Sequence, residues 1–218
     1  MTRADDQGLV RTIATLARDA TPVRPLASPA VRLARWVVAA LGASALVVGV
    51  LGLRADVVGR ASDPAFAMQA GVLAALTLAA AGNALRLAIP GAARVGSARA
   101  TTLSLTLAWL AVVLWPAVED GLAWPTGWAD VAHVTCAARI AAVGMLPGIV
   151  LLFMVRAAAP LDLRWAAASL ALAGAGLGAL GTQFICMDDA TVHVLAWHAL
   201  PVAVVVAVGA VLGRRLLR

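Results

Sequence analysis

"WAAASLALAGAGLGALGTQFI", residues 165–185, carries no charged side chain from end to end and runs straight into "CMDDATVH", residues 186–193. An uncharged apolar run of this length is what a helix needs to cross ~30 Å of hydrocarbon. That takes roughly 17–25 residues, because lipid obliges each backbone polar group to pair inside its own segment. The rest of the chain agrees: of 218 residues, 62% are hydrophobic and 13% charged, with a mean hydropathy of +0.93, whereas a soluble domain is roughly 45–50% apolar. A water-soluble globule of this size could not cover so much apolar surface, so the solvent for most of the chain is lipid.

Further runs of spanning length lie at Trp36–Leu53, Ala65–Ile89, Thr101–Val118, Val131–Val155 and Thr191–Leu212, so that with Trp165–Ile185 the sequence predicts six transmembrane helices. The expected fold class is an all-α polytopic membrane protein: a six-helix bundle with a short cytoplasmic helical segment at its N-terminus. Residues 1–33 form the cytoplasmic segment in this division, and 34–218 the transmembrane domain.

The connectors alternate in charge. Arg3, Arg11, Arg18, Arg24, Arg32 and Arg35 precede the first run, Arg86, Arg94 and Arg99 fill the second connector, Arg156 and Arg164 the fourth, and Arg214, Arg215 and Arg218 the tail. The first connector balances Arg54 and Arg60 with Asp56 and Asp63; the third holds Glu119, Asp120 and Asp130, and the fifth Asp188 and Asp189, with no base in either. By the positive-inside rule both termini are expected in the cytoplasm of a bacterial inner membrane, and the odd-numbered connectors in the periplasm. The net charge of +6 comes entirely from arginine. No basic stripe with interleaved aromatics appears, so direct nucleic-acid binding is not expected. No signal peptide is expected either, since a long polar stretch precedes Trp36 without a small-residue cleavage pattern.

In the N-terminal segment, Asp5 and Asp6 suit a helix start, and Leu9, Ile13 and Leu16 recur on one face, so a helix is predicted from about Asp6 to Ala20, stopped by Pro22 and Pro25. A helix this short is marginal alone. Its apolar stripe calls for a covering surface: the membrane interface, the protein's own connectors, or a groove on a soluble partner. Within the fifth span, Gly174 and Gly178 stand at GxxxG spacing with Gly181 close by, which suits close helix packing inside the bundle. Trp36, Trp124, Trp128 and Trp165 read as interfacial anchors.

Two cysteines, Cys136 and Cys186, with no CxxC pair, exclude a disulfide framework. The expected topology places both thiols at one membrane face. His133 stands one helical turn before Cys136, while Asp188, Asp189 and His193 flank Cys186, so thiolate, imidazole and carboxylate donors to a soft metal fall in one region. The residues alone leave a metal-responsive site, a structural disulfide and unpaired packing thiols all open. Arg139, one turn past Cys136 and inside a span, needs a partner such as Glu119, Asp130 or Asp188, or acts on the thiol. His198 in the last span is expected as a hydrogen-bonding group between helices.

Several stretches then occur in a telling order: "LARDATPVRPLASPAVRLARW" at 16–36, "AIPGA" at 88–92, a cysteine in the fourth span, "CMDD" at 186–189, "WH" at 197–198 and "GAVLGRRLLR" at 209–218. Together, over nearly the whole chain, they resemble the NrsF family of six-helix membrane anti-sigma factors, which regulate extracytoplasmic-function sigma factors. Ala20 and His198 depart from the family's usual Leu and Tyr. The resemblance implies a segment that holds the sigma factor, with Leu16, Asp19, Pro22, Val23, Arg24, Pro25 and Leu26 on the sequestering motif beside the stripe residues Leu9 and Ile13. It also implies that Cys136 and Cys186 sense a heavy metal or an oxidant. No cofactor is required on this reading, and heavy-metal binding would be transient. The rival reading, a small transporter or metal exporter, calls for acids or broken helices at mid-membrane, yet the acids lie in connectors. The lack of CxxC argues against a thiol oxidoreductase, and no enzyme activity is expected.

Overall fold

A computed structural model of the chain describes residues 3–19, 25–89, 95–121 and 131–218, and its regular structure there is entirely helical. The elements are α1 (Arg3–Asp19), α2 (Pro29–Leu51), α3 (Val57–Ala61), α4 (Pro64–Leu87), α5 (Val95–Asp120), α6 (Val131–Arg156), α7 (Leu163–Gln183), α8 (Thr191–Val194), a π-turn (Leu195–Ala199) and α9 (Leu200–Leu216). Six helices are long and apolar enough to cross a membrane: α2, α4, α5, α6, α7 and the continuous run Thr191–Leu216. The six runs read from the sequence are these helices.

The first span begins earlier than its apolar run suggested. Ser28 caps α2, its hydroxyl accepting from the Val31 N–H at 3.4 Å, and Pro29 occupies the first turn where its missing N–H costs nothing. A first span starting at Trp36 makes Arg32 a polar flank, but Arg32 is buried and donates to the carbonyl of Met154 on α6. The expected division after residue 33 therefore falls inside α2. Asp63 caps α4 in the same manner, accepting from Ala65 N–H at 2.9 Å ahead of Pro64.

Helix α7 is the centre of the bundle, and small residues put it there. In lipid no hydrophobic force draws one helix to another, so close backbone packing has to do it. Gly174 and Gly178 face Gly144, Gly148 and Ile140 of α6: a Cβ on Gly144 would collide with the Gly174 carbonyl, and one on Gly178 with the Ile140 carbonyl. On other sides, a Cβ on Gly176 would stand 2.9 Å from the Thr77 hydroxyl of α4, and Gly209 and Gly213 of α9 press against Ala171, Ala167 and Leu163. The expected GxxxG contact is thus made within this chain. Two polar ties cross the interior: Trp36 Nε1 donates to the Pro147 carbonyl at 2.9 Å, and Asn83 Nδ2 to the Ser169 hydroxyl at 3.0 Å. At one end of the bundle, Arg99 pairs with Asp162 at 2.5 Å.

Helix α1 matches the predicted amphipathic segment and leaves its apolar stripe uncovered, with Leu9 53%, Ile13 56% and Leu16 67% exposed. Pro25 and Leu26 are exposed as well. Pro22, Val23, Arg24, Trp124, Trp128 and Asp130 lie outside the described residues, as do the side chains of Glu119 and Asp120.

Replacing Gly178 by Val should lower stability by at least about 1–3 kcal/mol, since the new side chain meets backbone rather than a movable neighbour. Gly42→Ala, where a Cβ meets nothing within 4 Å, should be neutral or mildly stabilising. Thermal unfolding of the detergent-solubilised chain checks both, and equal effects would refute the seam.

Candidate functional site

Opposite the Arg99 end, the α6–α7 seam brings two thiols together. Cys136 lies one turn before Ile140, the residue in contact with Gly178, and Cys186 follows the last turn of α7, its N–H donating to the Thr182 carbonyl at 2.8 Å. The two sulfurs are 3.4 Å apart, both free thiols and both buried. Closing them to a disulfide would need an approach of only about 1.4 Å.

Two histidines join them from the last span. His193 sets Nε2 3.4 Å from Cys186 Sγ, and its Nδ1 lies 3.2 Å from the Asp188 carboxylate, which is also 3.9 Å from His133 Nε2. Donor atoms of Cys136, Cys186, His193 and His198 all lie within 4.8 Å of one another, and all four residues are buried. Those of His133, Asp188 and His193 form a second, more open group. His193 belongs to both, with one nitrogen toward the sulfurs and the other toward the carboxylate.

A local irregularity aligns the histidines. Five residues of α-helix turn through about 500°, leaving residues i and i+5 about 140° apart. Between them, however, the chain makes a π-turn over Leu195–Ala199, in which the Leu200 N–H donates to the Leu195 carbonyl. Pro201 supplies the cause: it has no N–H for the Trp197 carbonyl, and its ring would strike that group in a regular helix. The wider turn absorbs the conflict and brings His198 round to the face of His193.

His198 was expected to bond a neighbouring helix. Instead neither of its ring nitrogens makes an aligned hydrogen bond among the described residues, although the residue is only 2% exposed and its imidazole stands close enough to the Cys186 sulfur to act on it. The Cys186 thiol is held well below its ordinary range, chiefly by the hydrogen bond from Cys136 and then by the imidazoles of His193 and His198, against the burial that would raise it. Loss of one proton from the coupled pair leaves a thiolate that can attack an oxidant or bind a soft cation.

The other residues around Cys186 form a clasp. Arg54, between α2 and α3, donates to Asp189 at 2.9 and 2.8 Å and to Asp56 at 2.6 and 3.1 Å, while its backbone N–H reaches the Phe184 carbonyl at 2.9 Å. Arg60 joins Asp189 at 2.5 Å and Asp63 at 2.7 Å. Both guanidinium groups lie against Phe66, whose ring meets Phe184 edge-on. Burial would raise the Asp189 pKa, but hydrogen bonds from Arg54 and Arg60 hold it below the usual carboxylate value. Asp189, expected among the metal donors with His133, Asp188 and His193, thus has its carboxylate engaged by arginines. Asp188 faces the two histidines rather than Arg139.

A family model described as NrsF, negative regulator of sigma F, matches residues 16–218. The chain belongs to the NrsF family. The match takes in Leu16, Asp19, all six spans and both cysteines, leaving Leu9 and Ile13 outside it. NrsF is a family of sigma-factor regulators and not of enzymes, so the chain is a negative regulator of a sigma factor with transmembrane character. No curated protein and no solved structure matches it.

Two residues of this NrsF chain escaped the sequence reading. By sequence Arg54 reads only as an orientation charge, though an arginine two residues from Asp56 and just beyond an apolar run is a visible hint. His198 was hidden by its spacing from His193, and Pro201 was the only signal of the turn that aligns them. Asp189→Ala should lower stability by about 1.5–3 kcal/mol, because Arg54, its side chain 1% exposed, loses charge-assisted bonds in a buried setting. Arg60→Ala, at a more exposed pair, should cost less. Since the folded-state pKa of Asp189 is lowered, the clasp contributes fully above the ordinary carboxylate range and fades as pH falls through the folded value. Unfolding followed against pH should show that acid limb in the native chain and a weaker one in Asp189→Asn.

Proposed function

We propose that this chain is a bacterial inner-membrane anti-sigma factor. It holds an extracytoplasmic-function sigma factor through its cytoplasmic N-terminal segment and releases it when a periplasmic signal, a heavy metal or an oxidant, reaches Cys136 and Cys186. The observation that carries the reading is the apposition of the two thiols, 3.4 Å apart, in a chain that belongs to a family of sigma-factor regulators. The charge distribution supports the orientation. Arg32, Arg35, Arg86, Arg99, Arg156, Arg164, Arg214 and Arg215 gather at the helix ends away from the thiols, whereas toward the thiol end Arg54 and Arg60 are neutralised by Asp56, Asp63 and Asp189, and Arg139, one turn past Cys136, is the exception.

The clasp supplies a route between the two ends. Arg54 ties the end of α2 to the connector that carries Cys186, and the opposite end of the same α2 continues into the N-terminal segment. A change in the spacing of the thiols moves Phe184 and Asp189, and with them α2. The signal shifts the equilibrium only to the extent that it binds, or reacts with, one arrangement better than the other. On the output side, Leu9, Ile13 and Leu16 offer an uncovered stripe for a groove on the sigma factor, continued by Asp19, Pro22, Val23, Arg24, Pro25 and Leu26.

Replacing Leu9, Ile13 and Leu16 together by Ser in the full-length chain should reduce co-purification of the sigma factor by more than tenfold, since each buried apolar side chain is worth roughly 1.5–3 kcal/mol. Unchanged retention would remove the segment from the mechanism. Cys136→Ser with Cys186→Ser should abolish induction of a sigma-dependent reporter by metal or oxidant while leaving repression intact. A double variant that still induces normally would sink the sensing half.

A further inference from the structure

Four buried donors of this chain have the composition and spacing of a tetrahedral metal site. A cation about 2.3 Å from sulfur and about 2.0 Å from imidazole nitrogen sets its ligand atoms roughly 3.3–3.8 Å apart. The Cys136–Cys186 and Cys186–His193 separations are both 3.4 Å, and the whole set of four lies within 4.8 Å. Small side-chain rotations would close the remainder.

Three further observations point to a ligand rather than to packing. His198 is buried with neither nitrogen in an aligned hydrogen bond, a costly arrangement that coordination would relieve. The π-turn at Leu195–Ala199 exists at the point where it turns His198 toward the same centre as His193, and such turns are frequent at functional sites. Asp188 stands 3.2 Å from the far nitrogen of His193, which makes no aligned hydrogen bond, so a small ring rotation would form the carboxylate–imidazole pair that orients metal-bound histidines and raises their basicity.

We propose that Cys136, Cys186, His193 and His198 together bind one thiophilic divalent cation of the zinc group, Zn²⁺ or Cd²⁺, in tetrahedral coordination, with Asp188 positioning His193. This deepens the reading of the cysteine pair as the signal input and rests on it for its biological consequence: it adds two histidines to the input and names its ligand. Binding displaces the protons of both thiols, so two thiolates and one dication leave a neutral buried centre. Mg²⁺ and Ca²⁺, which require oxygen ligands, are rejected. Coordination fixes α6, the connector after α7, and the last span to a single point. Asp188 and the exposed Met187 mark the side from which the cation enters.

The full-length chain, purified in detergent with a non-thiol reductant, should bind one Co²⁺. Intense tetrahedral d–d bands and sulfur-to-metal charge transfer should appear, and Zn²⁺ or Cd²⁺ should abolish both. His198→Phe and His193→Phe should each lose the tetrahedral bands and at least about tenfold in Cd²⁺ affinity, and Asp188→Asn should weaken binding on the order of 10- to 100-fold while keeping the spectrum. Should the phenylalanine variants fail to fold, His198→Cys serves instead, and it should restore a tetrahedral site with stronger sulfur charge transfer. Wild-type protein without tetrahedral Co²⁺ bands, or His198→Phe with wild-type spectrum and affinity, would overturn the proposal. Reporter induction separates the two readings. Loss of induction in the cysteine variant alongside full induction in both histidine variants sinks this ligand set and spares the cysteine input. Tetrahedral binding in a chain whose induction ignores the cysteines spares the site and sinks the signalling role.

Discussion

The backbone-to-backbone contact between α6 and α7 is the constraint on which the rest of the molecule depends. Gly144 meets Gly174, and Gly178 meets Ile140, with no room for a side chain between the backbones, while Gly148 lies in contact with Gly174. Inside a bilayer the apolar surfaces of two helices are already as well solvated by lipid as by each other, so association comes from van der Waals fit at close range. The seam therefore fixes the axial register of the two helices as well as their distance. Register matters here because Cys136 is one turn from Ile140 and Cys186 is two turns beyond Gly178. Sliding α6 along α7 by a single turn, about 5.4 Å, would separate sulfurs that now sit 3.4 Å apart.

A second layer of constraint is electrostatic. The Arg54 guanidinium, its side chain 1% exposed, is held by two carboxylates and the Gln183 carbonyl, while the backbone N–H of the same residue donates to the Phe184 carbonyl. A guanidinium can be taken out of water only when nearly all its donors are met, and meeting them here recruits groups from both ends of a long stretch of sequence. The cost of an incomplete cage makes the connector after α7 and the end of α2 behave as one piece. That coupling is of the kind a two-state device needs, because packed and fully bonded groups tend to switch between arrangements rather than deform continuously.

At the thiols, two conflicts of ordinary helix chemistry have been settled in favour of a site. Pro201 cannot sit in a regular helix behind Trp197, and the resulting π-turn rotates His198 inward. A buried imidazole with neither nitrogen in an aligned hydrogen bond is unfavourable, yet His198 keeps that position beside Cys136, Cys186 and His193. Departures from local rules tend to cluster where function lies, and two of them meet at this end of the bundle.

Span number and helical class were legible in the sequence, because lipid imposes length and apolarity on every crossing segment independently of the others. The amphipathic α1 and the GxxxG seam were legible too, since both are periodic within one element. Helix starts were less so: Arg32 read as a flank because a side chain's burial depends on whether another helix offers it a carbonyl, here that of Met154. Cys136, Cys186 and His193 could be named from their types and neighbours, but their separations could not, and His198 was assigned another role. What the tertiary structure alone decided is which donors converge and which acids are already engaged. Asp188 and Asp189 are adjacent, yet one faces two histidines and the other two arginines. Composition sets what each segment can be, whereas distances between segments follow from interhelical packing, to which residues far apart in the chain contribute together.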